Sequence, residues 1–294
     1  MFENTPLWAI SALGQTQLAT LERLLSQERT TQQIEQYAEF NAGPVADAER
    51  AYLPIKQIDN VAVITLYGVM LKSYPWPSRY VASSEHVRIA VRAARLDSSI
   101  EHIMVLADTP GGDVRGMHEL GDEIAAAAKE KNTIVQVQGA LCSAGYHVAA
   151  QANAIYASHR MNSIGSIGVR TVLWDSQKMY EDAGIKVIKI DTGEHKSTGI
   201  EGVEVTEPQI AEVQRLVDEL YQEFLKVIQA GRNISNDEVK ALADGRIWFA
   251  SDAKKHKLID AIQPLENTLA ALPKSSKPRL TRAQAAALFS GFEA

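Results

Sequence analysis

At 294 residues with 46% hydrophobic and 22% charged residues, the chain has enough apolar material for one large or two ordinary domains with a proper core. A net charge of −6 and a pI near 5.7 argue against a nucleic-acid binder, which needs a basic face. The one cysteine, Cys142, excludes an internal disulfide and suits a reducing compartment, and with no cysteine cluster or H-E-x-x-H motif neither a metal nor an organic cofactor is expected.

The N-terminus, MFENTPLWAISALGQ, carries Glu3 and no early lysine or arginine, so it lacks the basic region of a secretory signal. No stretch approaches the roughly 20 apolar residues of a membrane span, and a soluble protein without a membrane anchor is expected. Thr16 to Phe40 has a helical pattern, with Leu18, Leu21, Leu24 and Leu25 on one face. Gly43 and Pro44 mark a linker into the core. Val61 to Tyr67 is strand-like and leads into a loop with Tyr74, Trp76 and Tyr80, read as a packed surface loop or as a substrate wall or oligomer contact.

Ser84 to Leu96 then reads as a helix, His102 to Ala107 as a buried strand, Thr109 to Asp113 as the turn after it, and Val114 to Lys129 as a second helix. Strand, turn and helix recur through Thr133 to Gln138, the alanine-rich stretch after Ser143, and Ala154 to Ala157. This alternation points to an α/β fold built from βαβ units with right-handed crossovers. Ser163 and Ser166 read as turn and packing residues, IKVIKI (185–190) as strand-like, and DTGEHKSTG (191–199) as a loop. Thr206 with Gln209, and Ser235 with Glu238, form capping-box patterns. The first opens a helix whose Ile210, Val213, Val217, Leu220, Phe224 and Val227 make a narrow apolar seam, suited to core or to an interface. After Pro264 the composition turns to alanine, lysine, serine and proline, as in a tail.

One serine stands out. Ser143 sits among small residues where a buried strand gives way to a helix, and such a turn exposes a hydroxyl beside backbone N–H groups. Position 141 is leucine, so the G-x-S-x-G elbow is absent. Cys142 reads as a small buried neighbour rather than a nucleophile. His147, one helical turn on, shares a face with Ser143 but would make an unusual dyad, and His159 is no better placed. Lys196 is the other candidate base, provided burial lowers a lysine pKa from about 10.4 toward 7, a cost of about 4 kcal/mol. Pro110, Gly111 and Gly112 would let backbone N–H groups approach a ligand oxygen; Gly112 is favoured, with the Ala144 N–H as its partner.

CSAGYHVAAQANAIYA followed by SIGSIGV resembles the nucleophile helix and glycine-rich segment of the signal peptide peptidase A (protease IV) family, Ser-Lys peptidases of the Clp protease/crotonase fold. DTPGGDV resembles that family's S-P-G-G oxyanion loop, HKSTG its lysine loop, and TEPQIAEVQRLVDELYQEFLKVIQAGR the helix after it, in the same order, over roughly Val61 to Ile262. The chain departs from the family in Cys142, Ala144 and His147, where A-S-G-G-Y-Y is common, and in Thr109. A Clp-type histidine near position 168 is replaced by Gly168, which favours the lysine variant.

The resemblance implies repeated β-β-α units with a helical N-terminal extension over 1–50, a Ser-Lys peptidase domain over 51–263 and a C-terminal tail over 264–294. It implies Ser143 as nucleophile, Lys196 as base, Gly111, Gly112 and Ala144 around an oxyanion hole, Gly165 and Ser166 in the substrate groove, and Ser166 as an aid to Lys196. With one copy of each motif, a homo-oligomer whose dyad is completed across protomers is expected. The PLWAI opening resembles phage and prophage head proteases, which suggests capsid or scaffold protein as substrate and the host cytoplasm or prohead as location. The alternatives are cellular degradation of peptides by a signal-peptide-peptidase-like enzyme, a crotonase-like thioester enzyme, and a non-catalytic capsid or scaffold component.

Overall fold

The computed structural model of the protein describes residues 8–10, 53–74 and 80–273; the helix expected over 16–40 and Trp76 lie outside these. The first described strand is β1 (Trp8–Ile10), followed by β2 (Ile55–Ile58), β3 (Val61–Tyr67), β4 (Val69–Leu71) and β5 (Val81–Ser83). The β3 run VAVITLY is buried or half-buried throughout, as a strand covered on both faces should be. Helix α1 (Ser84–Leu96) starts where Ser83 accepts a hydrogen bond from the His86 N–H, and it buries Val87, Ala90, Val91 and Ala94. Strands β6 (His102–Thr109) and β7 (Gly111–Asp113) come next, then α2 (Met117–Glu130) and the long β8 (Asn132–Cys142). Gly111 to Asp113 was expected as part of a turn, but it pairs with Met70 of β4 and is a strand.

β8 feeds α3 (Ala144–Ala149), followed by β9 (Ala154–Ala157) and β10 (Ser163–Gly165). Ser163 is thus a strand residue rather than the turn residue expected. The larger sheet runs β11-β10-β8-β6-β3-β2, with β3, β6, β8 and β10 parallel. β8 is long enough to have two neighbours on one side: Ile134 to Val137 pair with β9, and Ala140 to Cys142 with β10. The second sheet runs β1-β7-β4-β5. A strand of the larger sheet, then short strands in the second sheet (β4 and β5 after β3, β7 after β6), then a helix recur through β3 to α1 and β6 to α2, so the fold is α/β with β-β-α units as expected. α1 and α2 pack together, α1 against β3 and α2 against β8.

Beyond β10 the chain leaves the sheet. Helix α4 (Gln177–Asp182) buries no residue, and residues 185–190, the strand-like IKVIKI, form no strand. Ile185 is 52% exposed, Ile188 72% and Ile190 95%. A strand needs a ladder partner for its N–H and C=O groups, and none is present there among the described residues. Helix α5 (Glu207–Arg232) opens with the Gln209 half of the expected capping box, its Oε1 accepting from the Thr206 N–H at 3.1 Å, while the Thr206 hydroxyl has no hydrogen-bond partner. Its last turns bury Phe224, Leu225 and Ile228, with Leu220 and Tyr221 packed alongside. Its first turns bury only Gln209, and Ile210 is exposed. The apolar seam is therefore core at one end and uncovered at the other.

The chain closes through α6 (Asn236–Leu242), β11 (Ile247–Phe249), α7 (Ala250–Lys255), β12 (Ala261–Ile262) and α8 (Leu265–Ala271). The second capping box, Ser235 with Glu238, is formed. Residues 265–271 belong to the body of the fold: Thr268 is buried and its hydroxyl donates to Gln136 Oε1 at 2.7 Å, while Asn60 Nδ2 donates to the Pro273 carbonyl at 3.1 Å.

Candidate active site

Leu141 of β8 lies beside Thr109 of β6, and both strands end just beyond this pair. One continues through Pro110 into Gly111 and Gly112, and the other through Cys142 into Ser143. Ser143 has φ 53° and ψ −123°, outside the ordinary left-handed helical region and costly for a residue with a Cβ. Two backbone bonds hold it there: its N–H donates to the Gly165 carbonyl at 2.7 Å, and its carbonyl accepts from the His147 N–H at 2.9 Å. Ser143 is 1% exposed and its Oγ has no hydrogen-bond partner. A strained, buried hydroxyl left free of its own chain is one that can be committed to a substrate.

Glycine makes the arrangement possible at two points. A Cβ on Gly145 would overlap Thr109 Cγ2, so its absence lets α3 settle onto the end of β6. A Cβ on Gly112 would overlap the Met70 backbone, so only glycine lets β7 run this close to β4. Thr109 sorts the two glycines that follow it. Its Oγ1 donates to the Gly68 carbonyl at 2.6 Å and accepts from the Gly111 N–H at 3.1 Å, which commits the Gly111 donor internally. Ala144 opens α3, and the first N–H groups of a helix have no acceptor within it.

Cys142 is fully buried, and burial pushes its thiol up to about 12, which disqualifies it as a thiolate nucleophile at neutral pH. His147 is also buried, and burial holds its imidazole down at about 3. Neither ring nitrogen has a partner; the ring packs edge-on against His118 at 4.9 Å and Phe224 at 5.1 Å. His147 therefore does not bond Ser143 and behaves as a neutral core aromatic. His159 Nδ1 accepts from the Met161 N–H in a surface turn.

Gly165 ends β10 at φ 110°, and Ser166 follows at φ 49° with its N–H donating to the Arg246 carbonyl at 2.8 Å. Gly165 thus bears on the candidate nucleophile directly, its carbonyl holding the Ser143 N–H. Lys196 lies in the exposed turn after residues 185–190 and is not hydrogen-bonded to Ser143 within this chain. Its loop is nonetheless built. The Ser197 hydroxyl donates to Asp191, the Thr198 N–H and hydroxyl both donate to the His195 carbonyl, and buried Gln209 donates from Nε2 to the Glu194 carbonyl at 2.8 Å. Gln209 Oε1 also accepts from the Thr206 N–H, so one side chain caps α5 and anchors the lysine loop.

The positioning roles of Thr109, Gly145 and Gln209 were not legible in sequence. Gln209 was read as a cap alone, and its buried, bridging role depends on a loop 15 residues away. No group of three or more His, Cys, Asp or Glu residues suited to a metal occurs among the described residues, and no helix there is long and apolar enough to cross a membrane.

Among known proteins, the chain is 31% identical to a putative protease of Methanocaldococcus jannaschii over 59% of its length, and 29% identical to the chloroplastic serine protease SPPA of Arabidopsis thaliana over 61%. It is 25% identical to protease 4 of Salmonella typhi over 74%. The chain spans only 55%, 27% and 35% of those relatives' own lengths. A solved enoyl-CoA hydratase/isomerase family member superimposes with a TM-score of 0.41 at 13% identity, covering 81% of this chain and 74% of that one. The model of peptidase family S49 matches residues 125–278, just over half of the sequence, and takes in Ser143, β10 and the lysine loop. With that match over the segment that builds the Ser143 turn, the chain belongs to peptidase family S49.

Proposed function

We propose that the chain is a serine endopeptidase working through a Ser143–Lys196 dyad. The observation that carries this reading is the Ser143 turn: a serine at φ 53°, buried and unbonded at Oγ, beside the Gly111–Asp113 strand, in a chain of family S49. Ser143 Oγ attacks the peptide carbonyl carbon, whose oxygen is received by the N–H groups of Gly112 and Ala144. Lys196 takes the hydroxyl proton and passes it to the departing amine, leaving an acyl-enzyme. Water then attacks the ester and frees Ser143.

A lysine acts as a base only where water is kept from its ammonium form, and Lys196 is exposed in the single chain. The arm of chain between β10 and α5, which carries Lys196, exposes Trp174 (76%), Met179 (64%), Ile188 and Ile190, an apolar surface that a single chain leaves wet. A second copy laid over the arm would cover these residues and bring a lysine to a serine of the neighbouring chain. The substrate assigned is protein or peptide. A role in phage prohead processing rests on the Pro6–Ile10 opening alone, and peptide degradation of the kind named for the cellular relatives is the competing role.

A fluorophosphonate serine probe tests the reading. It is expected to label the wild-type assembly at Ser143, located by peptide mapping, and not to label Ser143→Ala. A folded, assembled protein unlabelled at Ser143 would count against the nucleophile assignment. Capsid-protein fragments present with wild type and absent with Ser143→Ala in matched lysates would separate prohead processing from general peptide degradation.

A further inference from the structure

The exposed edge of β7 carries a strand from the chain's own N-terminus. β1 pairs with it antiparallel, Trp8 opposite Asp113, Ala9 opposite Gly112 and Ile10 opposite Gly111. The other edge of β7 is taken by β4, so without β1 the strand beside the nucleophile would have a bare row of backbone donors and acceptors. Such an edge binds an extended peptide by adding it as a strand, with main-chain bonds giving affinity whatever the side chains.

The position of this edge matters more than its existence. Thr109 and Leu141 are side by side, so Gly111 and Ser143 each lie two residues past the same pair. Helix α3, which begins at the residue after Ser143, packs directly against β7. The end of β1 at Ile10 is therefore the end toward the nucleophile. Ala9 lies opposite Gly112, the glycine whose neighbour Gly111 has its N–H committed to Thr109. In the chain that carries β1, Ser143 is 1% exposed.

We propose that residues 8–10 are a tethered occupant of the peptide-strand site: an autoinhibitory segment that a substrate strand must displace. The identity of the displaced ligand as substrate rests on the peptidase reading, while the pairing itself stands independently of turnover. A three-residue strand makes few ladder bonds and is weak alone. Because it belongs to the same chain, its return to the edge is an intramolecular event, able to compete with dilute substrate and to yield to a longer or better-matched strand. The segment would slow the enzyme at low substrate and release it at high local substrate concentration.

Ala9→Pro in the full-length chain tests this, because proline opposes strand pairing and the position lies outside the sheet core. In a Ser143→Ala background, where no cleavage can intervene, amide hydrogen exchange at Gly112 and Asp113 is expected to quicken in Ala9→Pro, while Gly111, bonded to Thr109, serves as the internal control. Adding a synthetic TPLWAISA peptide at millimolar concentration should slow it again. With Ser143 intact, fluorophosphonate labelling and cleavage of dilute peptide should both rise about twofold or more in Ala9→Pro, as expected when a tethered segment of weak intrinsic affinity holds the site about half the time. Equal exchange with and without the proline would overturn the pairing. Faster exchange with unchanged labelling and cleavage would overturn the inhibition. Faster exchange, with neither protein labelled nor cleaving, would support the occupancy and tell against the peptidase reading instead.

Discussion

The turn that carries Ser143 and the arm that carries Lys196 are built on opposite terms. Around Ser143 nearly every atom is buried. All six residues of α3 are buried, Gly145 is fitted over Thr109, and a Cβ on Gly231 of α5 would overlap the Ala150 carbonyl just past the end of α3. Around Lys196 the loop is tied to itself and to Gln209, yet the apolar residues leading to it face solvent. The fold supplies one member of the proposed dyad already set and presents the other on an exposed surface. A single chain of this kind can be stable and still be catalytically incomplete.

The largest effects should come from the proposed dyad itself. Ser143→Ala and Lys196→Ala are each expected to lower peptide turnover by about 10⁴-fold or more, since members of a cooperating pair lose nearly as much singly as together. Thermal unfolding should change little for either. Near-normal turnover in Lys196→Ala would break the comparison by removing the arm from the chemistry.

Acid should act next, and on the buried side. The folded chain holds neutral His147 at about 3, while in the unfolded chain it titrates near 6.5, so the unfolded state takes up the proton first. The stability this contributes is present above pH 6.5 and is lost as pH falls from about 6.5 toward 3, on the order of 5 kcal/mol in all. Denaturant unfolding from pH 7 to 4 should show the loss, and His147→Phe should flatten it. An unchanged slope in His147→Phe would contradict the burial of a neutral ring.

Packing of the helix over the site is expected to matter somewhat less. Gly231→Ala places a methyl against the Ala150 carbonyl and should cost about 1–3 kcal/mol, read as a lowered urea midpoint. The smallest effect on the single chain, within about 0.5 kcal/mol, is expected for Ile190→Asp, because that side chain is 95% exposed. The same substitution should nevertheless dissociate the proposed assembly, seen by analytical ultracentrifugation. An intact assembly would move the interface away from the arm.

How far the sequence could be read follows the same division. The buried strands and α1 were legible because continuous apolar runs and a 3.6-residue period report burial directly; β9 and α1 have the expected ends. Gly111 to Asp113 read as a turn because P-G-G is a turn signal, and only the second sheet turns it into a strand. Residues 185–190 read as strand-like because their composition is that of a strand, yet a strand is a property of a pair, and the described residues hold no partner for them. The seam on α5 had the correct period but gave no sign that Ile210 would lie exposed while Phe224 was buried. Contacts made at long range, such as Gly145 on Thr109, leave no local signal beyond a small residue.

Whether an active site draws on two chains is tested most directly by mixing full-length Ser143→Ala with full-length Lys196→Ala under conditions where subunit exchange is demonstrated by native mass spectrometry. In a head-to-tail ring formed from equal amounts, a site works when an intact serine meets an intact lysine, so roughly a quarter of wild-type peptidase activity should return. Continued inactivity of fully exchanged mixed assemblies would contradict the shared site and return Lys196 to the chain that carries its serine.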